Sequence, residues 1–412
     1  MKHFIIFLFI FFSLSSNATS RFVRVVFNSN ASYEATIIWD QFSGDFESLI
    51  LDTNSKFENS TSLELSTSNN WKGMNNCIVR LKSLKANQHY FFKIKDNEGI
   101  SRSYYFSTVS DLPSQPLSFI AGGDSRDLRE VRTKANRMVA KLKAHAVLFN
   151  GDFIGIDIDK QWKDWFTDWE NSIDFDGRIT PMVVTRGNHE LSNKVFVKLF
   201  DVPHKKVYYS TIFGGTLLNL VSLNSEILKV GSQKIFLRRT LKDHKEFYWQ
   251  LPQYHRPIRA HVKSKKEMET QYNNFVPLFE NYPNVRLCLE NDSHTCKVTW
   301  PILSSKDPDA EEGFKRNDEN GIVYAGEGCW GAPLRAADDK KSWTRDAEGV
   351  NQFNWIFISM DKIELRTVKY ENEAIITPLT EETRFKLPNN IDLWGPTNGT
   401  TVEIPQPKRV KN

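Results

Sequence analysis

Met182-Val183-Val184-Thr185-Arg186-Gly187-Asn188-His189-Glu190 begins as a short apolar, β-branched run and breaks at a glycine into three polar side chains. The pattern recurs at four other places. Leu117-Ser118-Phe119-Ile120-Ala121 leads to Gly122-Gly123-Asp124, and Ala146-Val147-Leu148-Phe149 leads to Asn150-Gly151-Asp152. Phe247-Tyr248-Trp249 comes before His255, and Val285-Arg286-Leu287-Cys288-Leu289 before Asp292-Ser293-His294. Runs of this composition predict strands, and α/β folds carry their sites on the loops beyond strand ends. The five clusters therefore predict one site gathered from the ends of separate strands.

The segments between these runs predict helices. Residues 128–144 carry Val131, Ala135, Met138, Val139 and Leu142 at helical spacing, and Trp162, Trp165, Phe166 and Trp169 repeat as i, i+3, i+4, i+7. The second stripe predicts a buried helix face rather than a platform for stacking a ligand. Strands interleaved with helices from Leu117 onward predict a layered α/β domain. Runs 353–357 and 363–368, joined at Asp361-Lys362, predict its closing hairpin.

Ahead of this domain, short β-rich runs at 22–27, 35–40, 77–81, 90–95 and 104–108 predict an all-β sandwich with Trp39 in its core. This arrangement resembles a fibronectin type III module. Ser110-Asp111-Leu112-Pro113-Ser114-Gln115-Pro116 reads as a stiff polar linker. The expected division is a signal peptide at 1–20, the sandwich at 21–109, the linker at 110–116, the α/β domain at 117–371 and an extension at 372–412. The extension reads as a strap or a loose tail.

With 54 basic and 50 acidic side chains, a net charge of +4 gives no electrostatic reason to expect nucleic acid as a partner. Lys2 and His3 precede nine apolar residues and a Ser16-Asn17-Ala18 cleavage pattern, which predicts secretion or periplasmic export. Nine residues fall well short of the roughly 20 that span a bilayer, so no membrane span is expected in the mature chain. The four cysteines, Cys77, Cys288, Cys296 and Cys329, lack metal-finger spacing. In an exported chain that leaves disulfides, with Cys296–Cys329 favoured, or free buried thiols.

Hydrolysis of a phosphate ester needs a nucleophilic oxygen near neutral pH and cancellation of charge on the phosphoryl group, and two metal ions about 3.5–4 Å apart supply both. Asp152 is the candidate bridging carboxylate, with Gly151 letting the backbone turn beneath the ions. Asp124 would bind one ion terminally, Asn188 would offer a neutral oxygen to the other, and His255 and His294 would add imidazole nitrogens. His189 would face the phosphate or its leaving group.

Gly123-Asp124, Gly151-Asp152, Gly187-Asn188-His189-Glu190, His255 and His294 together resemble the calcineurin-like metallophosphoesterases. The sandwich in front makes the chain similar to the purple acid phosphatase branch over residues 21–370. The resemblance implies an α/β (α+β) metallophosphoesterase domain of two packed mixed β-sheets flanked by helices, preceded by the all-β fibronectin-like sandwich. It also implies a dinuclear centre that hydrolyses small-molecule phosphomonoesters through a metal-bridging hydroxide. Asp124, Asp152 and His294 would hold the first ion, and Asp152, Asn188, His255 and Asp292 the second. A phosphodiesterase of nucleotides or lipid headgroups, or a binding protein with a decayed site, would be the alternatives.

Two positions depart from that family. Gly155 stands where purple enzymes carry an iron-binding tyrosine, three residues beyond the bridging Asp, so the purple colour is not expected. Asp292 stands where the family's Gly-His-x-His motif has its first histidine. The extra carboxylate lowers the net charge of the loaded site from about +2 to about +1 and moves the expected metals toward Mn, Mg, Ca or Fe, somewhat away from pure Zn. Arg126, with Arg256 and Arg186 behind it, is the candidate to restore positive potential at the phosphoryl oxygens. His261 and Arg256 are the further candidates for substrate binding.

Overall fold

The computed structural model describes residues 18–407, so the apolar segment 4–12 and the basic tail 408–411 lie outside the described residues. Strands Leu117–Gly122, Ala146–Phe149 and Met182–Val184 run parallel, with Phe119 opposite Ala146 and Val147 opposite Met182. They form the middle of an eleven-stranded sheet. On one side the hairpin Phe353–Ile358 and Lys362–Lys369 extends it, Ile120 facing Trp355.

On the other side the sheet does not stop at the end of the catalytic layer. Ser20–Val26, from the N-terminal region, lies parallel to Met182–Val184 with Val26 opposite Met182, and the Phe27 N–H donates to the Met182 carbonyl at 2.9 Å. Ala35–Gln41, Met74–Leu81 and Thr67–Trp71 then follow in order. The second N-terminal sheet, built on Phe46–Asp52 and His89–Asp96, packs against these strands; Trp39, Leu49, Phe92 and Ile94 are fully buried. Arg24, also fully buried, ties the two regions by donating to the Leu199 carbonyl while stacking over Phe166.

A seven-stranded mixed sheet forms the second catalytic layer, with Leu218–Ser222, Trp249–Gln253, Leu287–Glu290 and Val323–Gly326 parallel at its centre. Side chains alternate along these strands as a pleat requires. Leu251, Leu287, Leu289 and Ala325 face the core shared with the first sheet, whereas Val221, Cys288 and Tyr324 face a second core beneath helices Ser232–Asp243 and Glu269–Glu280. Helices Arg129–Leu142 and Asp159–Trp169 serve the first sheet. Trp162, Trp165, Phe166 and Trp169 are buried on it, Trp165 edge-on to Phe149. The whole is a mixed α/β fold of packed sheets.

One expectation changes and two open ones resolve. The strand before His255 is Trp249–Gln253, not 247–249. Pro252 lies inside it because Gln250 and Tyr254 donate toward the Leu287–Glu290 side while the two strands pair only at Gln253–Leu289, so the missing N–H falls where the ladder is open. The cysteines are four buried free thiols. Cys329 donates to the Ala332 carbonyl at 3.2 Å and Cys296 faces the Thr367 hydroxyl at 3.9 Å, so of the two readings the free thiols hold and the Cys296–Cys329 bridge does not. The extension is a strap: Thr401–Pro405 pairs with Lys362–Lys369 as an added strand.

Candidate metal centre

The parallel strands of both sheets end at the same rim, and their loops converge there. Asp124, Asp152, Asp292 and His294 all have positive φ, at 54°, 54°, 74° and 59°. Non-glycine residues seldom adopt this conformation, and such outliers collect where a site is held in shape by its surroundings. Gly187 is required by close approach: a Cβ on it would stand 2.2 Å from Asp152 Oδ1. Gly151, at φ 89°, lies so tightly under Gly187 that a side chain would collide with its backbone.

Two groups of ligand atoms result, sharing Asp152. Asp124, Asp152 and His294 form one, with Asp124 Oδ1 and His294 Nε2 3.4 Å apart. Asp152, His255 and Asp292 form the other. Around His255 Nε2 stand Asn188 Oδ1 at 3.2 Å, Asp152 Oδ1 at 3.3 Å and Asp292 Oδ1 at 3.5 Å. Ligands about 2.1 Å from one ion are separated by about 3.0–3.4 Å at tetrahedral or octahedral angles, so the spacing fits a metal ion. Asp124 Oδ1 and Asp152 Oδ2 are buried without a hydrogen-bond partner, which is costly unless a cation fills the gap.

Each ligand is aimed by a neighbour. His255 Nδ1 donates to the Asn150 carbonyl at 2.8 Å and His294 Nδ1 to the Pro333 carbonyl at 3.0 Å, which leaves both Nε2 lone pairs facing the site. Asn291 Nδ2 and the Asp292 N–H both donate to Asp124 Oδ2 at 3.0 Å, leaving Oδ1 for a ligand. Glu190 lies beneath Asp152 and accepts from the backbone N–H groups of Phe153 and Gly187 at 2.7 and 2.8 Å. Burial first, and the nearby Asp152 charge second, push its carboxyl up to about 8.

Residues 109–296 match the family model of the calcineurin-like phosphoesterases, a span that contains every residue of both ligand groups. The chain carries a calcineurin-like phosphoesterase domain. As such it is a phosphoric ester hydrolase of the metallophosphoesterase class. Among solved structures it is similar to a purple acid phosphatase from yellow lupin (Lupinus luteus) seeds, with a TM-score of 0.71 and 15% identity over 90% of this chain and 76% of that one. It is also similar to PhoD, with a TM-score of 0.66 and 10% identity over 87% of each chain. Both likenesses concern the fold. No curated protein matches the chain.

Around the phosphoesterase site, the remaining candidates divide. His189 reaches the rim, its Nδ1 donating to the Gly155 carbonyl at 2.5 Å and its Nε2 3.8 Å from Asp152 Oδ2. Arg126 stands over the first group, with Nη1 3.3 Å from His294 Nε2 and a buried, unpartnered Nε. The other two arginines are engaged elsewhere: Arg256 is held by both oxygens of Glu226 at 2.7 and 3.1 Å, and Arg186 donates to the Glu190 carbonyl and Asn193.

His261 does not fold over the site. It is fully buried, 2.7 Å from the Thr344 hydroxyl and 3.5 Å from Glu327 Oε1, within a cluster in which Lys297 sits between Glu290 and Glu327. At Gly155, a Cβ would stand 2.0 Å from Asp127 Oδ1, the far end of an exposed side chain that would have to turn aside for a larger residue. One site residue escaped the sequence reading altogether. Lys265 Nζ lies 2.8 Å from Asp292 Oδ2; its only signal was a lysine in the polar stretch Lys263-Ser264-Lys265-Lys266, where side-chain direction cannot be read.

Proposed function

We propose that this domain hydrolyses small-molecule phosphomonoesters, with Asp124, Asp152 and His294 holding one metal ion and Asp152, Asn188, His255 and Asp292 a second. What supports the reading is the convergence of six residues from five strand ends on two ligand groups with one shared carboxylate. The ions, of Fe, Mn, Zn or Ca, would supply a hydrolytic nucleophile near neutral pH and offset phosphoryl charge. Oxygen donors outnumber nitrogen donors in the set, which favours Mn, Fe or Ca over Zn.

The chain's own groups do the rest. Arg126 is placed to bind phosphoryl oxygens, since its guanidinium opens toward the first ligand group. His189, anchored through Nδ1, keeps Nε2 free at the rim. As imidazolium it has one N–H left to give to the leaving oxygen. The apolar segment at 4–12, with its cleavage pattern, supports export of the mature enzyme to the periplasm or outside the cell.

The test is turnover of a chromogenic phosphomonoester and a matching diester by metal-stripped protein resupplied with Mn, Fe, Zn or Ca. Monoester hydrolysis should return with metal and fall by orders of magnitude in Asp152→Asn. Turnover that ignores Asp152→Asn would move the chemistry elsewhere in the chain. Faster diester turnover would make the enzyme a phosphodiesterase, and silence with every metal would leave a binding protein.

A further inference from the structure

Asp292 does not act alone. Its carboxylate is divided: Oδ1 faces His255 Nε2 at 3.5 Å in the second ligand group, while Oδ2 is taken by Lys265 Nζ at 2.8 Å. Lys265 is held in place from several sides. Its own N–H donates to the Val262 carbonyl at 2.9 Å, the Lys263 N–H to Asp338 Oδ1 at 2.9 Å and the Met268 N–H to the Ile258 carbonyl at 3.1 Å. Arg335, reaching in from the segment after Val323–Gly326, donates to the backbone carbonyls of Asp292 and Ser293 and leaves the carboxylate to Lys265.

A carboxylate and an ammonium sum to zero, as does a neutral imidazole. Two divalent ions with Asp124, Asp152 and Asp292 leave a formal +1, and Lys265 brings the site to +2. The lysine side chain is 21% exposed, so its charge is also felt from the rim.

Resting on the two-metal phosphoesterase reading above, we propose that the Asp292–Lys265 ion pair stands in for an imidazole at the second metal subsite. In this role Lys265 is a positioning residue: it fixes Asp292 as a one-oxygen ligand and supplies the charge that selects a dianionic monoester over a monoanionic diester. The family pattern has a single histidine at this point; this chain divides its two properties, donation and neutrality, between two side chains.

The experiment compares wild type, Lys265→Met, Lys265→Arg, Asp292→His and the Asp292→His/Lys265→Met double variant. Manganese stoichiometry is measured by calorimetry, orthophosphate affinity by competition, and kcat/KM for a monoester and a diester. Wild type should bind two Mn per chain; fewer than two would defeat the underlying reading, whatever the variants do. Lys265→Met should keep both ions but lose about tenfold in orthophosphate affinity and in the monoester-to-diester ratio, the size expected for one partly screened charge. Lys265→Arg should keep the ratio. The double variant, at a formal +2 again, should return both quantities to within about twofold of wild type. A Lys265→Met ratio equal to wild type, or a double variant no better than Lys265→Met, would overturn the pairing.

Discussion

Two buried clusters of charge meet at the end of the strand Leu287–Glu290, and they differ in how their carboxylates are partnered. In the cluster around Lys297, both carboxylates are matched to one ammonium of the chain, a formal −1 in all: it lies 2.5 Å from Glu290 Oε2 and 2.7 Å from Glu327 Oε1, and Glu290 Oε1 accepts from Tyr254 and the Ile258 N–H. In the cluster around Asp152, Asp124 Oδ1 and Asp152 Oδ2 are buried without a donor, and among the described residues no ammonium or guanidinium pairs with either acid, only histidines. Both are equally dry. A buried carboxylate with its partners present belongs to the scaffold, whereas one whose oxygens lack them is prepared for a ligand from outside.

The sharpest way to break this contrast is to unbalance the matched cluster. Lys297→Met leaves two buried carboxylates facing each other and should lower unfolding stability by about 3–5 kcal/mol in denaturant titrations. A loss below about 1 kcal/mol would mean that the cluster is not an internal strut. For the unmatched cluster, the missing partner can be supplied. Added Mn at a hundred to a thousand times its Kd should stabilise the stripped protein by about 3–4 kcal/mol, read as a rise in Tm. Asp152→Asn should abolish most of that rise without itself lowering the Tm of the metal-free protein.

Acid sharpens the comparison further. Burial raises the Glu327 carboxyl, but Lys297 overrides it and holds the group at about 2, below its ordinary 4.5. A depressed acid contributes stability in full above its unfolded value and loses it as pH falls through the folded value. Metal-free protein should therefore weaken between about pH 4.5 and 2, and Glu327→Gln should make that limb shallower. A limb of unchanged steepness in the variant would assign acid sensitivity to other carboxylates. The smallest effect is expected at His261, which belongs to the matched cluster. His261→Gln should cost about 1–2 kcal/mol of stability with kcat/KM within about twofold of wild type. A tenfold loss of kcat/KM at unchanged Tm would place His261 at the substrate after all.

What could be read from the sequence follows the range of the interactions involved. Asp124, Asp152 and Asn188 were legible because each follows its strand within a few residues, and the strands themselves are marked by local composition. The strand before His255 was misplaced because Pro252 argues against a ladder that happens to be open at that residue. The surroundings of Arg256 and His261 were hidden for a different reason. Their partners, Glu226, Thr344 and Glu327, lie 30 or more residues away, and nothing local announces them. Lys265 was missed on the same ground, since a lysine in a polar loop gives no hint that a buried carboxylate waits 27 positions later.

Nor does a period-two pattern tell a strand which neighbour it will have. The strand Ser20–Val26 completes the rim of Met182–Val184, so the N-terminal sandwich is a structural continuation of the phosphoesterase rather than a bead strung before it. A shortened chain beginning at Leu117 would leave the Met182 carbonyl without the Phe27 N–H and uncover the edge of Met182–Val184, where Val184 alone keeps a partner in the Tyr209 hydroxyl, an adhesive margin that invites strand pairing between copies. Anyone wishing to study the catalytic half in isolation should expect to carry the front half with it.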